Sequence, residues 1–370
     1  MGVADLADYP WDAVAPYAEQ ARSHPGGIAD LSIGSPVDAT PALVAEALAG
    51  ATDAHAYPQT MGTPALRAAI ADWYARRRGV PGLAPENVLP TVGSKELVAL
   101  LPLLIGLGPG DVVVHPRAAY PTYEVGARLV GATPLASDDP AEWPAETKLV
   151  WLNSPGNPDG RVMDAASLRA AVERARGLGA VLASDECYAE LGWDAPWDVE
   201  PIPSVLDPRV TDGELHGILS VYSLSKQSNL AGYRAAFLAG DPALVERLLT
   251  GRKHLGLMLP APVQRAMTAA LADDRHVAVQ KELYRRRREV LKPALEAAGF
   301  RVDGSEGGLY LWATEGLDAW DSMGRLAALG ILAGPGHFYG THYPRHIRLS
   351  LTATDERIDA AADRLRSAAL

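Results

Sequence analysis

Short apolar runs alternate with helical segments along most of the chain. Runs such as Val112–Val114 and Leu149–Leu152 have the length of buried strands, and in Ala65–Arg77 the apolar residues recur at three- and four-residue spacing. This alternation, from about residue 37 to residue 260, predicts an α/β fold with a mainly parallel sheet covered by helices on both faces. We expect an N-terminal arm and part of the small domain over 1–36, a large cofactor-binding domain over 37–261 and the remainder of the small α+β domain over 262–370.

Two threonine–proline pairs predict the starts of helices. In Thr40-Pro41 and Thr63-Pro64, a capping hydroxyl precedes a proline that suits the first helical position. The segment from about residue 262 to Gly299 is predicted to be helical and long. Its four consecutive arginines, Arg285–Arg288, predict a solvated face.

Composition narrows the classes of function. The 370 residues are 48% hydrophobic, which is enough for a large core, and the single cysteine, Cys187, excludes a disulfide framework within the chain. The formal net charge of −11 argues against general nucleic-acid binding. The chain shows neither a signal-like start nor an apolar run long enough to span a bilayer. We therefore expect a cytoplasmic enzyme that binds neither membranes nor nucleic acids.

The candidate chemistry follows the apolar run 217–222. Of the six lysines, only Lys226 comes directly after a buried-strand pattern. A lysine can serve as a nucleophile or Schiff-base partner when burial and cationic neighbours keep it partly unprotonated. The hydroxyls of Ser223 and Ser225, with Arg234 eight residues beyond the lysine, predict a pocket for a phosphorylated carbonyl compound.

The segment Ser223-Leu224-Ser225-Lys226, with Arg234 at this spacing, resembles the lysine motif of the class I aminotransferases of fold type I. Asn153–Gly160 resembles their N-x-P-x-N-P-T-G turn, with Asp159 in place of the usual threonine, and further motifs follow in family order over nearly the whole chain. The resemblance implies fold type I and the cofactor pyridoxal 5'-phosphate (PLP) bound to Lys226. It also implies that this lysine moves the substrate proton as general acid and base.

The resemblance assigns residues to the cofactor ring. Asp185 is expected to keep the pyridine nitrogen protonated, so that the ring draws electrons from the substrate. Tyr188 and Asn157 are expected to hydrogen-bond the ring oxygen. Tyr120 is expected to stack on the ring, and it is preferred over Tyr123 by position alone.

The resemblance also implies an anchor for the phosphate and a second subunit. Gly93 and Ser94 begin a helix, where free N–H groups attract an anion, and the anchor is completed by Ser223, Ser225 and Arg234. Lys95 has three possible roles: contact with the phosphate, contact with a substrate carboxylate, or solvation in the first helical turn. Tyr57 is expected to reach the phosphate of a neighbouring subunit, which implies a homodimer with shared active sites.

For the substrates, the resemblance gives a carboxylate site and a subfamily. Arg348 is expected to hold the substrate α-carboxylate by a two-pronged contact, with Gly34 and Asn157 as further substrate-binding residues. The sequence segments SLSKQSNLAGYRAAF, GSKELVALLP and GGLYLWAT most resemble the corresponding segments of the N-succinyldiaminopimelate aminotransferases of lysine and diaminopimelate biosynthesis. This implies L-glutamate as amino donor and the keto acid N-succinyl-2-amino-6-oxopimelate as acceptor.

Other functions stay open at this point. They are transamination of another amino acid (aspartate, alanine or an aromatic one), a carbon–sulfur lyase of the same fold, and a ligand-binding regulatory module. The acceptor's distal carboxylate also needs a cationic partner. The sequence offers Lys95, Arg22 and Arg161 for it without choosing among them.

Overall fold

A computed structural model provides the structure of the protein and describes residues 10–368. The strands, in chain order, are β1 (Ala29–Asp30), β2 (Val88–Val92), β3 (Val112–His115), β4 (Thr133–Ala136), β5 (Thr147–Asn153), β6 (Val181–Asp185), β7 (Ile218–Ser223), β8 (Ala235–Gly240), β9 (Arg301–Asp303), β10 (Tyr310–Thr314), β11 (Ile331–Leu332), β12 (Gly334–Pro335) and β13 (Ile347–Ser350). The helices are α1 (Ala15–Arg22), α2 (Ala42–Ala49), α3 (Pro64–Arg77), α4 (Ser94–Leu104), α5 (Thr122–Leu129), α6 (Ala165–Leu178), α7 (Pro208–Thr211), α8 (Leu224–Gln227), α9 (Pro242–Leu255), α10 (Ala261–Leu271), α11 (Arg275–Ala297), α12 (Ala319–Ala328) and α13 (Asp355–Ala368). Within residues 10–368, no helix is both long enough and apolar enough to cross a membrane.

The large lobe is built on a seven-stranded sheet with the order β2-β8-β7-β6-β5-β3-β4. The pairs from β7 to β4 are parallel, and β8 runs antiparallel to both of its neighbours. In β5, Leu149 and Trp151 pack into one buried cluster and Val150 and Leu152 into another. Because side chains alternate across a strand, helices cover both faces of this sheet. The predicted α/β fold with a mainly parallel sheet is confirmed.

The two predicted threonine caps have different outcomes. At the start of α3, Thr63 Oγ1 accepts a hydrogen bond from the N–H of Leu66 at 3.2 Å. At the start of α2 the prediction is wrong, because the N-cap is Pro41 and no side chain caps the helix. The Thr40 hydroxyl instead donates to the carbonyl oxygen of Asn229 at 3.5 Å. A contact distant in sequence thus replaces the local cap.

Helix α10 belongs to the core of the large lobe. Met267 and Ala270 lie in the same buried cluster as Leu66 and Trp73 of α3. The core of the large lobe therefore extends past the predicted domain boundary at residue 261, because the apolar face of α10 is buried against α2 and α3.

The small lobe combines segments from both ends of the described chain. Its antiparallel sheet has the order β12-β13-β10-β9, and β1 pairs in parallel with β11. Leu31, just after β1, shares a buried cluster with Leu311 of β10 and Leu349 of β13. The segment around β1 is therefore part of the core of this lobe.

The run of four arginines in α11 does not form the predicted solvated face. Arg287 and Arg288 are buried, with exposures of 3% and 9%. Arg287 contacts Asp38 at 2.6 Å and Asp355 at 2.8 Å, and Arg288 contacts Asp194 at 2.7 Å. Buried charges are retained when they are paired in this way. The prediction is therefore wrong for these two residues.

One edge of the large sheet gathers the residues that follow its strands. The carboxyl ends of β2, β5, β6 and β7 lie at this edge, and the start of the antiparallel β8 joins them because Val92 pairs with Ala235 and Ser223 with Ala236. In α/β sheets, ligands bind at the carboxyl ends of the parallel strands. The candidate site lies at this edge.

Candidate active site

Lys226 lies in the short helix α8, directly after β7. Its Nζ donates a hydrogen bond to the carbonyl oxygen of Gly34, and the hydroxyl of Tyr284 donates to the carbonyl oxygen of Lys226 at 3.2 Å. Burial lowers the pKa of the Lys226 ammonium, and the positive charges of Arg348 and Arg234 lower it further. An amine in this environment spends more time unprotonated, as nucleophilic and proton-transfer chemistry requires.

Asp185 is the last residue of β6, and it is buried. The Tyr123 hydroxyl donates to its Oδ2 at 3.0 Å, and the N–H of Cys187 donates to its Oδ1 at 3.2 Å. Burial raises the pKa of the carboxyl group, and the hydrogen bonds from Cys187 and Tyr123 lower it in part. A buried carboxylate with neutral donors gains stability from a cationic ligand. This position therefore fits a protonated ring nitrogen.

Tyr120 and Tyr123, the two candidates for stacking on the cofactor ring, have different surroundings in the structure. Tyr123 is fully buried, stacks on Trp151 with a centroid distance of 5.1 Å and commits its hydroxyl to Asp185. Tyr120 is only partly buried, and the Nζ of Lys95 lies 5.8 Å from the centroid of its ring. Of the two, Tyr120 has the ring available to a flat ligand, which supports the choice of Tyr120.

A cradle for an anion forms where α4 begins. Gly93 has a φ of 80°, and a Cβ atom there would lie 2.2 Å from Nη2 of Arg234. Only glycine therefore lets this guanidinium approach the first turn, where the N–H groups from Ser94 onward have no partner within the helix. On β7, two strands away, Ser223 Oγ donates to the hydroxyl of Ser225 at 2.8 Å. N–H groups, hydroxyls and a guanidinium fit a phosphate.

The turn after β5 holds Asn157 in a defined orientation. Its N–H donates to Oδ1 of Asn153 at 2.7 Å, and its own Oδ1 accepts from Nη1 of Arg348 at 2.9 Å. Because an arginine has only donors, it fixes the amide oxygen toward itself and leaves the amide NH₂ for another acceptor. Asn157 thus connects the large lobe to β13 of the small lobe.

Arg348 is buried, with an exposure of 4%. Its Nη2 donates to the carbonyl oxygen of Ser32 at 2.7 Å. Its guanidinium carbon lies 3.9 Å from the ring centroid of Tyr310 and 4.8 Å from that of Tyr339. A guanidinium held beside two aromatic rings presents a planar fork, the geometry that binds a carboxylate through two hydrogen bonds.

The sequence model of the family described as aminotransferase class I and II matches residues 27–365. The chain belongs to this aminotransferase family. The family and its fold are PLP-dependent, so the predictions of PLP and of fold type I are confirmed.

Three relatives illustrate the range of this aminotransferase family. The chain is 55% identical to the 4-dedimethylamino-4-oxo-anhydrotetracycline transaminase OxyQ of Streptomyces rimosus, with 98% of this chain and 99% of the relative covered. It is 31% identical to the LL-diaminopimelate aminotransferase of Aquifex aeolicus, with 92% and 91% covered. A solved structure, the probable N-succinyldiaminopimelate aminotransferase of Thermus thermophilus, matches with a TM-score of 0.86, 30% identity, and 97% and 99% covered. Their named substrates differ, so family membership alone does not identify the acceptor.

Tyr310 lies at the candidate site, although the sequence alone does not single it out. Its hydroxyl lies 3.3 Å from that of Tyr188 and 2.2 Å from where a Cβ atom on Gly34 would lie. The alternation of β10 predicts that the side chains of Tyr310 and Trp312 share a face of the strand. It does not predict which of the two reaches the site.

Tyr57 does not line the site of its own chain, since 92% of its surface is exposed.

Among the three candidates for a distal carboxylate, Arg22 ends α1, which packs against α12 and β11 in the small lobe. Arg161 is on the same turn as Asn157 and lies 3.6 Å from Asp159. Burial raises the pKa of Asp159 to about 6. By position, Arg161 is nearer to the site than Arg22.

Proposed function

We propose that this aminotransferase moves the amino group of L-glutamate to N-succinyl-2-amino-6-oxopimelate, in lysine and diaminopimelate biosynthesis. The observation that carries the proposal is the buried fork of Arg348, stacked on Tyr310 and Tyr339, because donor and acceptor both present an α-carboxylate. The relative from Thermus thermophilus and the LL-diaminopimelate aminotransferases support an acceptor of the diaminopimelate type. Arg161 is our candidate partner for its distal carboxylate.

The residues at the sheet edge fit PLP by the chemistry of their donors and acceptors. When bound, PLP supplies the carbonyl group that carries the amino group between substrates and the ring that takes up electrons. We assign the phosphate to Gly93, Ser94, Ser223, Ser225 and Arg234, the ring nitrogen to Asp185, the ring oxygen to Asn157 and Tyr188, and the ring face to Tyr120.

Lys226 acts in this proposal as general acid and base. Its lowered pKa leaves the amine partly unprotonated, so that Nζ could take the proton from the substrate Cα and would then pass it to the carbon that carries the cofactor's carbonyl group. The carbonyl oxygen of Gly34, which accepts a hydrogen bond from Nζ, holds the amine in place between these two steps.

A second candidate acceptor is a ring ketone. The name of the relative from Streptomyces rimosus, which is 55% identical, describes transamination of a 4-oxo group on an anhydrotetracycline. The rings of Tyr310 and Tyr339 beside Arg348 would also suit a flat, polycyclic acceptor. This candidate differs from the first in needing no α-carboxylate.

A half-reaction tests the amino donor and excludes a lyase. With L-glutamate alone, we expect the PLP-loaded enzyme to release 2-oxoglutarate in equal amount to its sites and to change its visible absorbance to that of the aminated cofactor. A carbon–sulfur lyase would show neither result with glutamate.

A panel of acceptors tests the second substrate. Steady-state kcat/KM is measured with glutamate against succinylated, acetylated and free keto acids, oxaloacetate, pyruvate and a polycyclic ring ketone. We expect the succinylated keto acid to have the highest kcat/KM. Preference for oxaloacetate or pyruvate without turnover of the succinylated acid would overturn the substrate and leave the aminotransferase intact.

We infer that the enzyme is a homodimer with shared active sites. Tyr57 is 92% exposed, and the large apolar residues Ile33 and Met61 are exposed at 55% and 36%, as expected of a surface that a second copy covers. Mixing Tyr57→Phe subunits with Lys226→Ala subunits tests this. If the tyrosine acts across the interface, one site of each heterodimer carries no defect and activity recovers in part. Verified subunit exchange without recovery would contradict the inference.

A further inference from the structure

We propose that Tyr310 is a further catalytic residue, whose hydroxyl binds the amine of Lys226 while that amine carries the substrate proton. The proposal rests on the proposed function in one respect, the role of Lys226 as general acid and base. It concerns a residue of the small lobe, whereas the lysine belongs to the large lobe. The site would therefore be complete only when both lobes are in contact.

The amine and the phenol meet at Gly34. Nζ of Lys226 donates to the carbonyl oxygen of Gly34, and the Tyr310 hydroxyl occupies the space of the absent Cβ, 2.2 Å from where that atom would lie. The carbonyl oxygen and the Cβ position both belong to Gly34. The Lys226 amine and the Tyr310 hydroxyl are therefore neighbours. Any larger residue at position 34 would displace the hydroxyl.

The orientation of Tyr310 is fixed on the other sides. Its ring lies 3.9 Å from the guanidinium carbon of Arg348, and its hydroxyl lies 3.3 Å from the hydroxyl of Tyr188. The side chain is buried, with an exposure of 4%. A phenol held by a cation at its face and a hydroxyl at its edge has little freedom to turn away from Lys226.

The positive charges around Tyr310 make its O–H group more acidic than that of a free phenol, and so a stronger hydrogen-bond donor to the Tyr188 oxygen. The titratable and charged groups that face it are Arg348 from β13, Lys226 from α8, Asp185 from the end of β6, Tyr188 from the turn after β6, Tyr120 from the segment before α5 and Tyr284 from α11. Burial by itself would raise the pKa of Tyr310, but the positive charges of Arg348 and Lys226 bring it below its usual value. In return, Tyr310 opposes the lowering of the Lys226 pKa by burial.

The proton transfer shows what the hydroxyl contributes. When Nζ takes the proton from the substrate Cα, it becomes an ammonium in a partly desolvated site, where a charge is costly without a partner. The Tyr310 oxygen accepts a hydrogen bond from this ammonium while the O–H of Tyr310 donates to the oxygen of Tyr188. The Cα–H bond breaks as the N–H bond forms at Nζ, and this N–H bond would break again when the proton passes to the carbon that carries the cofactor's carbonyl group.

The variant Tyr310→Phe removes the hydroxyl and keeps the ring against Arg348. We expect the rate of the glutamate half-reaction to fall about 10-fold to 100-fold, the size expected for one hydrogen bond to a charged group, with KM for glutamate nearly unchanged. The kinetic isotope effect with Cα-deuterated glutamate should increase, because proton transfer then limits the rate more strongly.

A second measurement does not depend on turnover. The visible absorbance of PLP bound to Lys226 changes with pH, and Tyr310→Phe should shift the midpoint of this change to lower pH, because the hydroxyl no longer stabilises the protonated nitrogen. Tyr17→Phe is the matched control, since Tyr17 stacks on Trp320 at 5.6 Å within the small lobe. Tyr310→Leu removes the ring as well and should additionally raise KM for glutamate.

The outcomes separate this proposal from the proposed function. If Tyr310→Phe keeps the wild-type rate, isotope effect and absorbance midpoint, Tyr310 only supports Arg348 and the proposal is overturned. If the wild-type enzyme fails to react with glutamate, the proposed donor is wrong, and the absorbance midpoint still decides the role of Tyr310. Thermal unfolding of each variant shows whether it has kept its fold.

Discussion

The two lobes supply the site in different ways. The large lobe contributes residues at or just after strand ends, among them Asp185 of β6 and Lys226 after β7, whereas the small lobe contributes Tyr310 and Arg348 from the faces of antiparallel strands. The carboxyl ends of parallel strands lie at one edge of their sheet, and this arrangement does not depend on how the small lobe packs. Residues on strand faces reach the site only when the small lobe docks correctly. In our proposal, cofactor binding therefore rests mainly on the large lobe, whereas substrate binding and the contribution of Tyr310 depend on contact between the two lobes.

Removing the lysine tests the large lobe and has the largest expected effect. Lys226→Ala should lower turnover at least about 10⁴-fold and abolish the visible absorbance of lysine-bound PLP, which a spectrum and steady-state kinetics both measure. Lys148→Ala, at an exposed position near the start of β5, is the control. Turnover at the wild-type level in Lys226→Ala would disprove the assignment.

The docking of the small lobe can be weakened without touching the site. Arg287→Met leaves Asp38 without its arginine partner, while Asp355 keeps Arg286, and we expect the free energy of unfolding to fall by about 3 kcal/mol, measured by chemical denaturation. Arg366→Met is the control, because its side chain is 48% exposed and pairs only with Asp363 among the carboxylates of the described residues. Equal losses for the two variants would show that the buried pairs do not hold the lobes together.

Replacing the carboxylate fork tests the small lobe directly. Arg348→Lys keeps the charge and loses the planar pair of donors, so KM for glutamate should rise about 10-fold to 100-fold. Steady-state kinetics with glutamate measure the effect, and Arg325→Lys, with a side chain that is 60% exposed, serves as the control. An unchanged KM would mean that the carboxylate binds elsewhere.

A change at Asp159, in the turn after β5, should have the smallest effect of the four. This effect is on stability, and it depends on pH. The pKa of Asp159 is raised from 3.8 to about 6 by burial, so the folded protein holds this proton more tightly than the unfolded chain does. The contribution of Asp159 to stability is therefore fully present below about pH 4 and is lost as pH rises through 6. Asp159→Asn should then stabilise the protein by about 2 kcal/mol at pH 7.5 and hardly at all at pH 4.

Thermal unfolding of Asp159→Asn at the two pH values measures this difference. Asp53→Asn, with a side chain that is 92% exposed, is the control. A gain that is the same at both pH values would exclude the titration of Asp159 as its cause.

The same contrast between lobes explains what the sequence could predict. Lys226, Asp185 and Asn157 each belong to a contiguous motif that follows an apolar run, so local pattern locates both the strand and the residue after it. The sheet edge then brings them together. The large lobe could be predicted from the sequence for this reason.

Tyr310 and Arg287 could not be predicted in the same way, because their partners are distant in sequence. Tyr310 depends on Gly34 and Arg348, which come from opposite ends of the chain. Arg287 lies in a run of charges that is typical of a solvated face, and it is buried because Asp38 and Asp355 pair with it. Local charge pattern contains no information about such partners.

The shared space of Gly93 and Arg234 has a consequence for how this enzyme can evolve. A Cβ atom at position 93 would lie 2.2 Å from the guanidinium of Arg234, so the two positions cannot vary independently. In a mutational library, substitutions at position 93 should be lost whenever Arg234 is present, and substitutions at position 234 should come first in any lineage that changes both. The order of mutations, and not only their sum, would then decide which variants of this proposed phosphate site are accessible.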